Sequence, residues 1–196
     1  MNLALANGSG SASNYSINSL IAEITGKPVT ISGSRLYDST TTASSSILTV
    51  TSGVSGESLS LTGSGVLGAA SAGTQTITNN NTLAIADGSG GLASNYTLSG
   101  ATINVTIIPR TLNVTLSREY DGTTSVSGAS LTPIFDSLQG GETLALSGTG
   151  SVSTANVGSS KAVTLGTIAL TAGSGNPSNY TLNSATMNIT QRVINL

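Results

Sequence analysis

The chain has no cysteine, no histidine and no tryptophan in its 196 residues. Without His or Cys, the usual ligand sets for zinc, haem and iron–sulfur clusters cannot be assembled. The Ser-His-Asp and Cys-His nucleophile systems are excluded on the same ground. No disulfide can form, so the cysteine count does not fix a redox compartment, and it is compatible with export. Charge is also scarce, with 6 Lys+Arg, 8 Asp+Glu and a net charge of -2. No basic surplus exists to neutralise phosphates, which argues against nucleic acid as a partner. No apolar run approaches the ~20 residues that span a bilayer, so membrane insertion is not expected. Met1-Asn2-Leu3-Ala4-Leu5-Ala6 is too short, and lacks the basic start, for a signal peptide.

What is present is Ser and Thr, about a third of the residues, together with 24 Gly. Such a composition suggests disorder first. Yet disordered chains are poor in apolar residues and rich in net charge. Here 37% of residues are hydrophobic and mean hydropathy is +0.21. A packed core is within reach, built from Val, Ile, Leu and Ala.

The sequence repeats itself. Arg35-Leu36-Tyr37-Asp38-Ser39-Thr40 returns as Arg118-Glu119-Tyr120-Asp121-Gly122-Thr123. Gly56-Glu57-Ser58-Leu59 returns as Gly141-Glu142-Thr143-Leu144, and Ser94-Asn95-Tyr96-Thr97-Leu98 as Ser178-Asn179-Tyr180-Thr181-Leu182. The offsets lie between about 83 and 85 residues. Leu3 to Ile17 matches Leu83 to Leu98 as the tail of an earlier copy, and Gln191 to Leu196 matches Pro109 to Val114 as the opening of a later one. The expected organisation is a tail over 1–24, repeats over 25–107 and 108–190, and a new start over 191–196. Such a period is too long for a solenoid coil or propeller blade and suits a small domain. Beads on a string follow, each with its own core.

Short runs alternate apolar and polar residues with period two, as in Thr111-Leu112-Asn113-Val114-Thr115-Leu116. This is the pattern of a half-buried strand, and Thr, Val and Ile suit a pleated surface. In the first repeat, strands are predicted near 28–34, 46–51, 57–63, 74–79, 82–87, 95–99 and 101–107. No run has helical spacing. The fold class is therefore all-β: tandem immunoglobulin-like β-sandwich repeats of about 83 residues, with a β-helix as the alternative. The junction Val105 to Leu112 has no Gly/Ser linker, and Pro109 stiffens it. The two repeats should lie end to end as a rod.

In so charge-poor a chain, repeated charges draw notice: Arg35 and Arg118, Asp38 and Asp121, Glu57 and Glu142. Two readings of Tyr120-Asp121-Gly122-Thr123-Thr124 are open. Asp121 could hold a ligand or ion. Alternatively the run is a turn, with Asp accepting backbone N–H bonds and Gly supplying positive φ. On the turn reading Tyr37 and Tyr120 cover the ends of their cores, and each Arg pairs with a carboxylate or caps strand carbonyls. A calcium site would need several oxygen ligands. No Asp-x-Asp-x-Asp run exists, and Asp87 aligns with Ala172, so no repeated metal site and no cofactor are expected. Lys27 and Lys161 sit at non-equivalent places for a repeated isopeptide cross-link. Asn-x-Ser/Thr sequons at Asn14, Asn95, Asn104, Asn113, Asn179 and Asn188 follow largely from composition.

The Arg-x-Tyr-Asp-[Gly/Ser]-Thr-Thr, Gly-Glu-[Ser/Thr]-Leu and Ser-Asn-Tyr-Thr-Leu segments, with the Pro-Arg-Thr-Leu junction, resemble the YDG/MBG-type repeats of very large bacterial surface proteins. Those proteins are similar to filamentous-haemagglutinin-type adhesins exported by two-partner secretion, including biofilm-matrix adhesins. Ser39 departs from the pattern, since it replaces the Gly of the motif. The resemblance implies a non-enzymatic stalk segment, secreted to the cell surface or extracellular matrix, that projects a distal binding region. Its expected partners are neighbouring repeats of the same chain, with matrix polysaccharide or the same protein on another cell as further ones. The alternative is a carbohydrate- or self-binding β-module. The resemblance supplies no catalytic or binding residue.

Overall fold

Alternation builds the longest strands, and those strands set the layout. The computed structural model describes residues 4–19 and 21–195. The first repeat holds β1 (Lys27–Leu36), β2 (Thr42–Ser44), β3 (Leu48–Thr51), β4 (Leu59–Thr62), β5 (Ser64–Leu67), β6 (Gly73–Gln75), β7 (Ile77–Asn79), β8 (Ala84–Asp87) and β9 (Tyr96–Ile108). The second holds β10 (Arg110–Glu119), β11 (Ser125–Ser127), β12 (Ile134–Phe135), β13 (Leu144–Ser147), β14 (Thr149–Val152), β15 (Gly158–Thr164), β16 (Ala169–Ala172) and β17 (Tyr180–Thr190). Short 3-10 turns punctuate them, and no α-helix occurs among the described residues. The chain is all-β, in two tandem sandwich-like units.

In the first unit one layer has the order β3-β1-β9-β6. Val29 and Ile31 of β1 and Ile103, Val105 and Ile107 of β9 face inward. The opposing layer is made of β2-β5-β7 and the pair β4-β8. Leu59, Leu61 and Ile85 from that layer pack on Val29, Ile31 and Ile103. The second unit repeats the plan. Val114 and Leu116 of β10 and Ala185, Met187 and Ile189 of β17 meet Val126, Leu146 and Val152. Here β15 runs unbroken and pairs with both β17 and β14, so it joins the two layers. Its counterpart in the first unit is split into β6 and β7 on either side of Thr76.

The pairing that positions everything else is parallel. β1 lies beside β9, from Lys27↔Tyr96 to Leu36↔Ile108, and β10 lies beside β17 in the same sense. The first and last strands of each unit therefore run the same way. The chain enters a unit at one end and leaves it at the other. β9 passes into β10 through Pro109 alone.

Each unit has its own core, as expected, but a third cluster, not expected, is shared between the units. That cluster contains Tyr37, Ala43, Leu67, Val105 and Ile107 of the first unit and Leu112, Leu144 and Tyr180 of the second. The physical reason is the one-residue link. It holds the end of one sandwich against the start of the next, and apolar side chains at both ends bury each other rather than face water.

Candidate functional site

The Tyr-Asp loops are built alike in both units. Asp38 Oδ1 accepts the Thr40 N–H at 2.9 Å, and Asp121 Oδ1 accepts the Thr123 N–H at 2.9 Å. These are the two-residue reach-over bonds of an Asx turn. Ser39 has φ 64° and Gly122 φ 78°, so both loops use the left-handed region at the same position. The Arg35 guanidinium pairs with Asp38 and donates to the Thr40 carbonyl. Arg118 pairs with Asp121 at 3.2 Å and donates to the Thr123 and Ser125 carbonyls. Burial works to raise the Asp38 carboxyl, but the bonds from Thr40 and the Arg35 charge outweigh it and hold it below its usual value. The Thr123 backbone N–H is the largest influence on Asp121, which is also lowered. Each loop is thus a closed turn with its own counter-charge.

The tyrosines differ. Tyr37 is only 3% exposed. Its ring meets Tyr180 edge to face, with centroids 5.3 Å apart and planes at 77°. Its hydroxyl donates to Glu142 Oε1 at 2.6 Å, while the Tyr180 hydroxyl donates to Glu142 Oε2 at 2.5 Å. One carboxylate of the second unit therefore takes a phenol from each unit. Burial, then the bond to Glu142 and the charge of Glu142, push the Tyr37 phenol up to about 12. The same causes, burial first, raise Tyr180.

Further bonds cross this seam. Arg110 Nε donates to the Tyr37 carbonyl at 2.9 Å. The Ala72 N–H donates to Asn179 Oδ1 at 2.8 Å, and Asn179 is only 4% exposed. Gly140, at φ 58°, sits so close to Ser39 that a Cβ there would come within 2.6 Å of the Ser39 Oγ.

Tyr120 corrects an expectation. It is 41% exposed, not buried. Tyr37 is covered by residues of the following unit, and among the described residues no third unit stands beyond Tyr120 to cover it. In the first unit, Glu57 receives the Tyr96 hydroxyl, and that bond and then burial raise the Tyr96 phenol. Glu57 has no phenol from an earlier unit among the described residues.

The eight residues singled out from the sequence thus fall into two groups. Arg35, Asp38, Arg118 and Asp121 close the loops. Tyr37 and Glu142 meet across the seam, while Tyr120 and Glu57 occupy the equivalent places at the two outer ends. Sequence reasoning missed Arg110, Asn179 and Ala72 as seam residues. A signal for the first was there: Lys27, Arg110 and Arg192 are cations at one repeated position in a chain with 6. Lys27 Nζ donates to the Gly53 carbonyl, and Lys161 Nζ to Thr154 Oγ1 and the Asn156 carbonyl. Among the described residues no group of three or more Asp and Glu side chains is placed to hold a metal ion. The chemistry offered at the seam is hydrogen bonding and apolar contact.

A family model described as YDG domain matches residues 22–105 and again 106–187. Nothing matches among curated proteins or among solved structures.

Proposed function

The chain belongs to the YDG domain family, as two consecutive copies, and from that premise we propose that it is a spacer segment of a large secreted bacterial adhesin. Its role is mechanical: it sets distance and direction for a binding region carried elsewhere, in cell–cell or biofilm-matrix attachment. It is not an enzyme on this reading, and its working partners are adjoining repeats. Two-partner secretion to the cell surface or matrix goes with the same proposal.

The observation that carries it is the parallel pairing of first and last strands in each unit. A domain whose termini lie together makes a poor spacer, because each copy turns the chain back. Here entry and exit are at opposite ends, so each copy adds its length. Ten residues of β1 at ~3.3 Å rise advance about 33 Å per unit. The seam supports the same reading. A shared core with a buried Tyr37–Glu142–Tyr180 contact resists bending, where a Gly/Ser tether would behave as a random coil.

Small-angle scattering in solution tests this. The expected result is one elongated population with a length of about 70 Å or more, from the strand rise of two units in line. A compact side-by-side pair, or a broad spread of bend angles, removes the basis for a spacer.

A further inference from the structure

Tension along the chain enters each unit through its first strand and leaves through its last. In the first unit these are β1 and β9, in the second β10 and β17, and each pair is parallel. The chain reaches β1 at Lys27, beside Tyr96, and leaves β9 at Ile108, beside Leu36. A pull between those two points slides the strands along each other. Bonds in a parallel ladder are evenly spaced, so such a pull loads all of them together. Were the two strands antiparallel, the same pull would open the ladder one bond at a time. Both ladders carry an irregularity near their start, between Pro28 and Thr30 and between Leu112 and Asn113. Beyond it seven register pairs run unbroken in each unit, Thr30↔Thr102 to Leu36↔Ile108 and Asn113↔Ser184 to Glu119↔Thr190. The Tyr-Asp motif adds the last rung: the Tyr37 N–H bonds the Ile108 carbonyl and the Tyr120 N–H the Thr190 carbonyl, both at 2.9 Å. That rung sits where the load leaves the unit. The ladders are also flanked, β1 and β9 by β3 and β6, and β17 and β10 by β15 and β12. Ile31, Val105, Ile107, Leu116, Met187 and Ile189 are buried on one face of them. Water is thereby kept from replacing the bonds as they stretch. No loop lies between one ladder and the next, since Pro109 alone separates β9 from β10.

We propose that each unit is a load-bearing clamp, in which the parallel first and last strands carry tension along the chain in shear. The load path runs from β1 across its ladder to β9, through Pro109 into β10, and across the second ladder to β17. The other strands and the loops lie outside that path and take up no part of the pull directly. The Tyr of each motif serves the clamp through its backbone, which is why Tyr120 makes the same rung as Tyr37 although its ring is half-exposed. Forced unfolding is governed by the unfolding barrier and not by equilibrium stability. One unit, with one stability, is therefore strong when pulled along the chain and weak when the same strands are peeled apart. Bearing tension is a function beyond spacing. It rests on the two ladders alone and holds for a chain that bends at its seam.

Single-molecule pulling of the whole chain through thiol handles is the test, and the sequence has no cysteine of its own to compete. Thr30→Cys with Ile108→Cys holds the unbroken ladder of the first unit at opposite ends and loads it in shear. Thr30→Cys with Thr102→Cys holds two register partners at one end and peels it. All three side chains are exposed. The expected unfolding force is higher in shear by at least about twofold, because evenly spaced bonds that share a load fail as a set, while the denaturant midpoints of the two variants agree. Thr111→Cys with Thr190→Cys, against Thr111→Cys with Thr181→Cys, makes the same comparison in the second unit. That comparison decides the matter should Ile108→Cys weaken the seam. Equal forces in the two directions overturn the proposal, and so does a lower force in shear. A compact or freely bending pair in scattering would remove the spacer reading and leave these forces unchanged, so the two failures are told apart.

Discussion

Tyr37 and Tyr120 occupy the same place in nearly the same loop, yet one is 3% and the other 41% exposed. Both follow a strand that pairs in parallel with the last strand of its unit. Both backbones make the same bond, Tyr37 N–H to the Ile108 carbonyl and Tyr120 N–H to the Thr190 carbonyl, each at 2.9 Å. Both are followed by an Asx turn held by an Arg. The local fold is therefore finished in each unit without reference to its neighbour. What differs is only whether another unit's Glu and Tyr arrive. The loop is a completed part that becomes an interface when a unit is added, which is how identical repeats can be strung in one direction.

The most forceful way to break this comparison is to truncate both rings. Tyr37→Ala opens a cavity in the shared cluster and leaves Glu142 with one phenol fewer. Large-to-small changes of buried aromatics cost about 3–5 kcal/mol. Tyr120→Ala removes a half-exposed ring, and such surface changes stay within about 0.5 kcal/mol. Denaturant unfolding of the two variants measures the difference. Near-equal losses would mean that Tyr120 is covered after all, or that the seam contributes nothing.

A pH titration sharpens the same point. The ordinary tyrosine phenol ionises near 10, and Tyr37 is held up to about 12. Below pH 10 the phenol is neutral in the folded and unfolded chain alike, and its full contribution is present. Between 10 and about 12 the unfolded chain ionises first, so stability falls as pH rises through that window, and above it the contribution is gone. Ultraviolet difference absorption should show a late-titrating tyrosine near pH 12 that is missing in Tyr37→Phe. A Tyr37→Phe titration identical to that of the unaltered chain would remove the buried phenol–carboxylate contact from the account.

Much of the fold was legible because alternation is a local signal. β1, β8 and the paired runs of β9 stand where period two places them. The run expected to break at Ser99-Gly100 is instead one strand, Tyr96–Ile108, because Gly100 at φ 72° absorbs an irregularity inside it. β2 and β5 were not foreseen, since Thr42-Ala43-Ser44 and Ser64-Gly65-Val66-Leu67 are too short and too rich in small residues to show a period. The loop chemistry at Asp38 and Asp121 was legible for the same local reason. The seam was not. Its partners lie 105 residues apart at Tyr37 and Glu142 and 107 apart at Ala72 and Asn179. A repeat pattern assigns each residue an equivalent; it does not say that the partner belongs to the next copy. The one-residue link at Pro109 was the physical hint that two ends so close must share a surface.

The smallest expected effect tests whether the two loops are truly equivalent. Ser39 and Gly122 hold the same left-handed position. A non-Gly residue there costs roughly 1–2 kcal/mol. Glycine avoids that cost but gives back about 0.4–1 kcal/mol through a more disordered unfolded chain. Ser39→Gly should therefore stabilise the protein, and Gly122→Ser destabilise it, each by no more than about 1.6 kcal/mol on those two figures. The two changes should not be mirror images. Around Gly122 the nearest atom to an added Cβ is the Tyr120 hydroxyl at 3.9 Å, so the backbone alone decides the outcome. Ser39 also packs on Gly140 across the seam, and removing its side chain loses that contact. The gain at 39 should be smaller than the loss at 122, measured as shifts in the denaturation midpoint. A Ser39→Gly variant that loses as much as Gly122→Ser would mean that the seam, and not the turn, fixes Ser39, and the equivalence of the two loops would fail with it.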